Sequence, residues 1–342
     1  MKYFVRFLKI LVGIIIVLGL LYFLGPKVEA PNLNKPLPQV EKDLLVLANE
    51  ISAREAMVSN IKADNQSRII WADSVPTKTE YSIVYLHGWS ASQEEGDPIH
   101  SETARRYGFN LYLPRLVGHG LIEKEPMLDL TAERLLDSAR DAIAVGKQLG
   151  KKVILMGTST GGTLALHFAA ELSDEVAALL LYSPNIEIFD PNAKLMSGPW
   201  GLQVLKAIKG SDYHEFDTDD ELKNQFWTTK YRVEALVHLQ ALMDETMTEE
   251  TFSRIHQPTF LGYYFKDEVH QDSVVSVGAM LEMFDALGTE PSRKEKVAFP
   301  EVGDHVMTSY ITSKDLESVK KETFDFLEEQ LHLKPLEQST VE

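Results

Sequence analysis

The chain has 342 residues, 51 acidic against 34 basic, and a net charge of −17 at neutral pH, a balance that argues against a nucleic-acid backbone as partner. It contains no cysteine, which excludes disulfides, thiol nucleophiles, thiolate metal sites and lipid attachment through a cysteine. A hydrophobic content of 44% suffices for one sizeable core carrying an insertion.

Lys2, Arg6 and Lys9 precede Ile10 to Leu24, a stretch of fifteen residues without a charge. As a helix, Tyr3 to Leu24 would be about 33 Å long, enough to cross a bilayer if Arg6 and Lys9 reach back to the headgroups. Residues 1–25 therefore read as a signal anchor or a signal peptide. The nearest cleavage-type site, Val28-Glu29-Ala30, is followed by Pro31, which disfavours processing and makes the anchor the preferred reading. A cleaved, secreted form is the alternative. The basic flank keeps the N-terminus in the cytoplasm and places the rest on the extracytoplasmic side, the periplasm in a Gram-negative cell. Pro26, Pro31, Pro36 and Pro38 mark 26–38 as a semi-rigid extended linker that holds the domain off the membrane.

From Val40 to Met57 apolar residues recur at helical spacing, predicting a helix on the outside of the domain. Ile69 to Trp71 reads as a short strand, and Ser82 to Leu86 as a buried one ending at His87-Gly88. Glu94, Glu95 and Asp97 follow as a solvated charge run. Asn110 to Leu113 is the next strand, leading into Pro114-Arg115-Leu116-Val117-Gly118-His119-Gly120. Thr131 is the N-cap of a helix that runs to Leu149 and stops at Gly150.

Val153 to Met156 then meets Gly157-Thr158-Ser159-Thr160-Gly161-Gly162, and a helical pattern begins at once with Leu164, Ala165 and Phe168. A G-x-S-x-G run at such a strand-to-helix turn exposes the serine Oγ at its apex, and small neighbours let the two backbones pass closely. The loop has neither the lysine of a P-loop nor G-x-G-x-x-G spacing, which argues against a phosphate cradle. Val176 to Tyr182 supplies the following strand. Between Asn185 and Gln257 no convincing strand is visible, while Trp200 to Ile208 and Val233 to Met243 read as helices. The alternation resumes with a strand at Thr259 to Phe265, a helix at Ser276 to Leu287, a strand at Val297 to Phe299 and a closing helix from about Ser313 to Leu331. Residues 335–342 read as a flexible tail. Buried strands alternating with helices predict a mostly parallel sheet.

The elbow at Ser159, with His87-Gly88-Trp89-Ser90 ahead of it and acid and histidine candidates behind it, resembles the α/β-hydrolase superfamily in its carboxylesterase and monoacylglycerol-lipase-like branch, from about Ser67 to Leu331. That resemblance implies an α/β fold over 39–334, a mostly parallel central sheet flanked by helices, with a helical cap at about 185–257 inserted before the acid-bearing strand. No single cap residue is assigned to the substrate pocket. The resemblance also implies Ser159 as nucleophile and the backbone N–H groups of Trp89 and Thr160 as the oxyanion hole. A serine hydroxyl is a weak nucleophile and needs a base held in the right tautomer by a third group. Of ten histidines only His305 lies on the loop after the last strand, where the family's order of serine, acid and histidine puts the base. His214, His238, His256 and His332 read as surface residues, and His87 as a shaper of its loop. For the acid, Asp272-Ser273-Val274-Val275-Ser276 matches the family's D-x-V-V-P segment apart from Ser276 in the proline's place and is preferred, and Asp267, closer to the strand, is the rival.

The activity implied is a serine hydrolase cleaving carboxylic esters, small or lipid-like, through an acyl-serine. The alternatives are a peptidase, an amidase or an acyltransferase on the same fold, and a non-catalytic membrane-anchored binding protein. The histidines lack H-E-x-x-H spacing, so no metal set is visible and no cofactor is expected.

Overall fold

The computed structural model describes residues 1–337, so 338–342 of the expected tail lie outside the described residues. Strands form at β1 Arg68–Ile70, β2 Thr79–Leu86, β3 Asn110–Leu113, β4 Gly150–Thr158, β5 Val176–Tyr182, β6 Tyr213–Glu215, β7 Lys230–Arg232, β8 Thr259–Tyr263 and β9 Lys294–Ala298. Seven of them make one sheet in the order β1-β3-β2-β4-β5-β8-β9. Only its first edge pair, β1 with β3, is antiparallel; the other neighbours run parallel. The mostly parallel α/β-hydrolase sheet expected from the sequence is the one observed.

The central strands are buried on both faces, and the period-2 alternation of their side chains sorts them into two cores. Val84, Leu86, Leu155, Leu179 and Leu181 pack with the helices Ala132–Leu149 and Thr160–Glu171. Ile83, Tyr85, Ile154, Met156, Leu180 and Tyr182 point the other way, onto the helices Ile99–Tyr107 and Leu316–Gln330. The register from Ser82↔Val153 to Leu86↔Gly157, and on the other side Thr158↔Tyr182, brings the carboxyl ends of β2, β4 and β5 level with one another. Loops leaving that edge can therefore meet, which is where open parallel sheets place their sites.

Thr131 caps its helix by accepting from the Arg134 N–H. Between β5 and β8 the helices Gly201–Lys209 and Val233–Thr246 appear where helical spacing predicts them. The same insertion also holds a small antiparallel ribbon, β6 with β7, and the short helices Glu221–Phe226 and Glu249–Ser253, which were not expected. Three-residue strands carry too few alternations to stand out from a polar loop.

The apolar N-terminal helix spans Lys2–Phe23 and buries none of its residues against the domain. The proline-rich segment after it has no helix or strand, as expected, but it is not a free spacer. Pro31 is buried, Leu33, Leu37 and Val40 pack on the main core, and Lys35 bridges Glu133 and Asp137. The prolines are interleaved with leucines, so the extended chain has an apolar edge to lay on the domain, and it straps the domain to the helix rather than holding it away.

Candidate active site

Ser159 sits at the end of β4 with φ 54° and ψ −122°, in the positive-φ region, and the next residue already begins a helix. For a non-glycine residue this conformation costs about 1–3 kcal/mol and persists only where the surroundings over-determine it. Here the Ser159 N–H donates to Tyr182 O at 3.0 Å, and its carbonyl accepts from Gly162 N at 2.9 Å, Thr163 N at 3.2 Å and Asn185 N at 3.0 Å. The flanking glycines answer to space. A Cβ on Gly161 would lie 1.7 Å from Leu86 O, and one on Gly157 would lie 2.5 Å from the Gly161 carbonyl carbon. The serine side chain thus stands at the carboxyl edge of the sheet, nearly buried, with only 6% of the residue exposed.

Two other loops reach the same edge. After β8, Asp272 is fully buried; its Oδ1 accepts from Val274 N at 2.9 Å and Val275 N at 3.1 Å, and its Oδ2 lies 2.6 Å from His305 Nδ1 on the loop after β9. Burial opposes the charge of Asp272, but the attraction of His305, its hydrogen bond and the two backbone N–H groups outweigh it and hold the carboxyl below its ordinary value. For His305 burial likewise works against protonation, and Asp272, with Asp304 and Glu95 behind it, more than offsets this, so its pKa is raised. An ionised Asp272 fixes the imidazole hydrogen on Nδ1. The other nitrogen, Nε2, is buried and has no hydrogen-bond partner among the described residues. Asp267 lies on the same loop but is turned outward, accepting from Val269 N and His270 N and pairing with the exposed His270. The structure therefore brings Asp272 to His305 and leaves Asp267 capping its own turn.

The third loop follows β2. His87 spends both ring nitrogens on the backbone: Nδ1–H donates to Gly88 O at 3.0 Å, and Nε2 accepts from Leu116 N at 3.1 Å. Among the described residues neither the Trp89 N–H nor the Thr160 N–H is taken up by a carbonyl or side chain. For Thr160 this follows from its place in the first turn of a helix, where backbone donors are unpaired.

Glu95 departs from the expected solvated charge run. It is 2% exposed, and its Oε2 accepts from Gly88 N at 2.5 Å and from the Tyr85 hydroxyl at 3.1 Å. Burial pushes its carboxyl up to about 7, against the pull of Gly88 N–H, His305 and Tyr85. Its loop is also bonded to the His305 loop, by Thr308 Oγ1 to Glu95 O at 2.7 Å, Ser309 Oγ to Glu94 O at 2.8 Å and Tyr310 N to Asp97 O at 2.9 Å. Nothing in the sequence separates Glu95 from its neighbour Glu94, because what distinguishes them is the Tyr85 hydroxyl and the Gly88 N–H that fold over one and not the other.

The Alpha/beta hydrolase family matches residues 83–310, from within β2 to just beyond His305. The chain belongs to this family. Among solved structures, the hydrolase is similar to one from work on LipS and LipT, two metagenome-derived lipolytic enzymes, at 17% identity and TM-score 0.63, with 78% of this chain and 98% of that one covered. It is similar to the Paleococcus ferrophilus monoacylglycerol lipase at 16% identity and TM-score 0.57, covering 76% and 97%. It is also similar to Est1E from Butyrivibrio proteoclasticus with ferulic acid bound, at 18% identity and TM-score 0.53, covering 80% and 100%. At such identities the likeness is one of fold. No curated protein matches the chain.

In this hydrolase Ser159, Glu95 and His305 line a common cavity of about 570 Å³. Its other walls come largely from the insertion between β5 and β8, with Phe216, Trp227, Tyr231, Leu236 and Leu239, and from the loop carrying Val274. His214, read from sequence as a surface residue, is part of that wall. The insertion is tied to the loop after β2 by Thr228 N donating to Ser90 O at 2.7 Å. Among the described residues no cluster of three or more His, Asp or Glu side chains is placed to hold a metal ion.

Proposed function

We propose that the chain is a serine hydrolase that cleaves carboxylic esters, with Ser159 as nucleophile, His305 as base and Asp272 as the carboxylate that orients it. The observation that carries this reading is that His305, its Nδ1 locked onto a buried carboxylate and its buried Nε2 without a partner among the described residues, lines the same cavity as Ser159. In the proposed reaction Nε2 takes the Ser159 proton as Oγ attacks the ester carbon, and the carbonyl electron pair moves onto oxygen. The unpaired N–H groups of Trp89 and Thr160 receive that oxyanion. Asp272 stabilises the imidazolium, which then gives its proton to the leaving alkoxide; water, activated by the same histidine, releases the acid from the acyl-serine.

The substrate reading is an ester with an apolar acyl part. The aromatic and aliphatic wall of the cavity supports it, as does the likeness to lipolytic enzymes and a monoacylglycerol lipase. In this reading 185–257 is a cap over the site, and the Lys2–Phe23 helix is an anchor that leaves the hydrolase on the extracytoplasmic side.

A fluorophosphonate probe should label the wild type and not Ser159→Ala, and turnover of p-nitrophenyl esters should fall by about 10⁶ in that variant. Near-normal turnover in Ser159→Ala would remove the assignment. An unlabelled wild type that still folds would point to the non-catalytic binding protein instead.

A further inference from the structure

The apolar N-terminal helix is joined to the insertion at a built contact. Trp200 N–H donates to Pro26 O at 2.8 Å, and its indole Nε1–H donates to Leu21 O at 3.1 Å. The indole lies so close over Gly25 that a Cβ there would sit 2.0 Å from Nε1. Just beyond, Val28 packs in one cluster with Met196, Leu202, Leu205 and Val237. Trp200 has φ 64° and ψ 10°, a left-handed conformation that a bulky side chain keeps only where its surroundings impose it. The two hydrogen bonds to the 21–26 segment are among those constraints.

Trp200 opens the helix Gly201–Lys209. Leu202 and Leu205 turn inward to that cluster, which leaves Trp200, Val204 and Ile208, at i, i+4 and i+8, as an outer stripe that is 39%, 41% and 75% exposed. Leu195, in the turn against which Gly201 packs, is 57% exposed. Scattered apolar residues on a surface need no explanation. This stripe is not scattered: it is hydrogen-bonded at its first residue to the end of a helix whose 22 residues are all unburied and which is long and apolar enough to cross a membrane.

We propose that this outer face of the Gly201–Lys209 helix, with Leu195, is seated in the lipid surface from which the anchor emerges, so that anchor and cap contact the bilayer as one unit. The proposal rests on the anchor reading. Continuity with the anchor selects a bilayer as occupant, and the local charges set the kind of attraction. Lys206 is already paired with Asp212 and Glu234, Lys209 meets only His214 among the described residues, and the chain as a whole carries −17, so contact comes chiefly from apolar insertion, with Lys209 the one cation of this helix left for headgroups. The inward leucines of the same helix share their cluster with Ile188 and Leu236, which line the cavity beside Ser159. The helix, its inward leucines and the Ile188 and Leu236 wall thus form one continuous apolar block between the lipid surface and the site.

The absence of cysteine makes a single introduced thiol a unique label. Full-length Val204→Cys and Ile208→Cys should be labelled with an environment-sensitive fluorophore in phosphatidylcholine vesicles carrying spin-labelled lipid. Val75→Cys is the control, 64% exposed in the loop before β2 at the opposite end of the sheet. Quenching at 204 and 208 should exceed that at 75 several-fold and persist in about 0.5 M salt. Full-length Val204→Asp/Ile208→Asp should hydrolyse bilayer-dispersed monoacylglycerol about tenfold more slowly, with turnover of a water-soluble p-nitrophenyl ester unchanged. Equal quenching at the three sites overturns the proposal, as does disulfide-linked dimer formation by Ile208→Cys without quenching, which would mean that a second copy covers the face. A mature chain whose mass begins near Pro31 lacks the joint and overturns it too. Strong quenching in a chain that fails to react with fluorophosphonate would uphold the membrane face while removing the ester-hydrolase reading.

Discussion

Two aspartate–histidine pairs involve the loop after β8, and their hydrogen bonds are nearly the same length. Asp272 meets His305 at 2.6 Å, and Asp267 meets His270 at 2.9 Å. In the first pair the side chains are 0% and 10% exposed; in the second, 53% and 64%. The first joins residues 33 apart from two different loops, while the second spans three residues of one turn. Distance alone would rank them together. What separates them is that burial makes the interaction between charge and imidazole strong, and that His305, its second nitrogen without a partner among the described residues, lines a cavity shared with a serine. A pair of residues becomes chemistry only when the far side of the histidine has something to act on.

The comparison would break most sharply at Asp272. Asp272→Asn offers an amide hydrogen to His305 Nδ1 and drives the imidazole toward the other tautomer. Turnover should fall by about 10⁴ with the circular dichroism spectrum unchanged. A loss of less than tenfold would reduce the buried pair to a structural contact.

The pH dependence sharpens the same point. His305 must be neutral to accept the serine proton, and Asp272 raises its pKa above 6.5. Measured as kcat/KM, activity should fall about tenfold per pH unit on the acid side, with the midpoint of that limb above 6.5. In Asp272→Asn the residual activity should show the midpoint shifted to lower pH, because the charge favouring the imidazolium is gone while its burial remains. A limb that stays in place would assign it to another group, and Glu95, raised to about 7, is the one to test next.

The smallest effect belongs to the exposed pair. Asp267→Asn should leave turnover within about threefold of wild type, since an exposed pair is screened by water and makes no contact with the cavity. A collapse of activity in that variant, with Asp272→Asn active, would reverse the comparison.

The central strands β2, β4, β5 and β8 were legible in the sequence because they hold aliphatic or aromatic runs bounded by turn residues, whereas β9, Lys294–Ala298, opens on three charged residues and was expected only at Val297 to Phe299. The elbow was legible because its glycines are forced by contacts as close as that of Gly161 with Leu86 O. The Asp272–His305 contact was reached through the resemblance, since nothing within the loop ranks Asp272 over Asp267 until it folds. Glu95 could not be read: its burial is conferred by Tyr85, ten residues earlier, and by a backbone N–H. The strap at 26–38 was misjudged for a related reason. Its prolines specify an extended chain, and only the packing of Leu33, Leu37 and Val40 on the distant core decides whether that chain stands free.

The bonds between the Glu95 loop and the His305 loop all end on main-chain carbonyls, those of Glu94, Glu95 and Asp97. A carbonyl acceptor is supplied by any residue. The side chains at 94 and 97 are thus free to drift over evolutionary time without moving the imidazole relative to the Gly88-Trp89 turn, whereas the donors, the hydroxyls of Thr308 and Ser309, are not interchangeable with apolar residues. Variation among relatives should accumulate at 94 and 97, with the buried Glu95 and the hydroxyl-bearing positions after His305 held fixed.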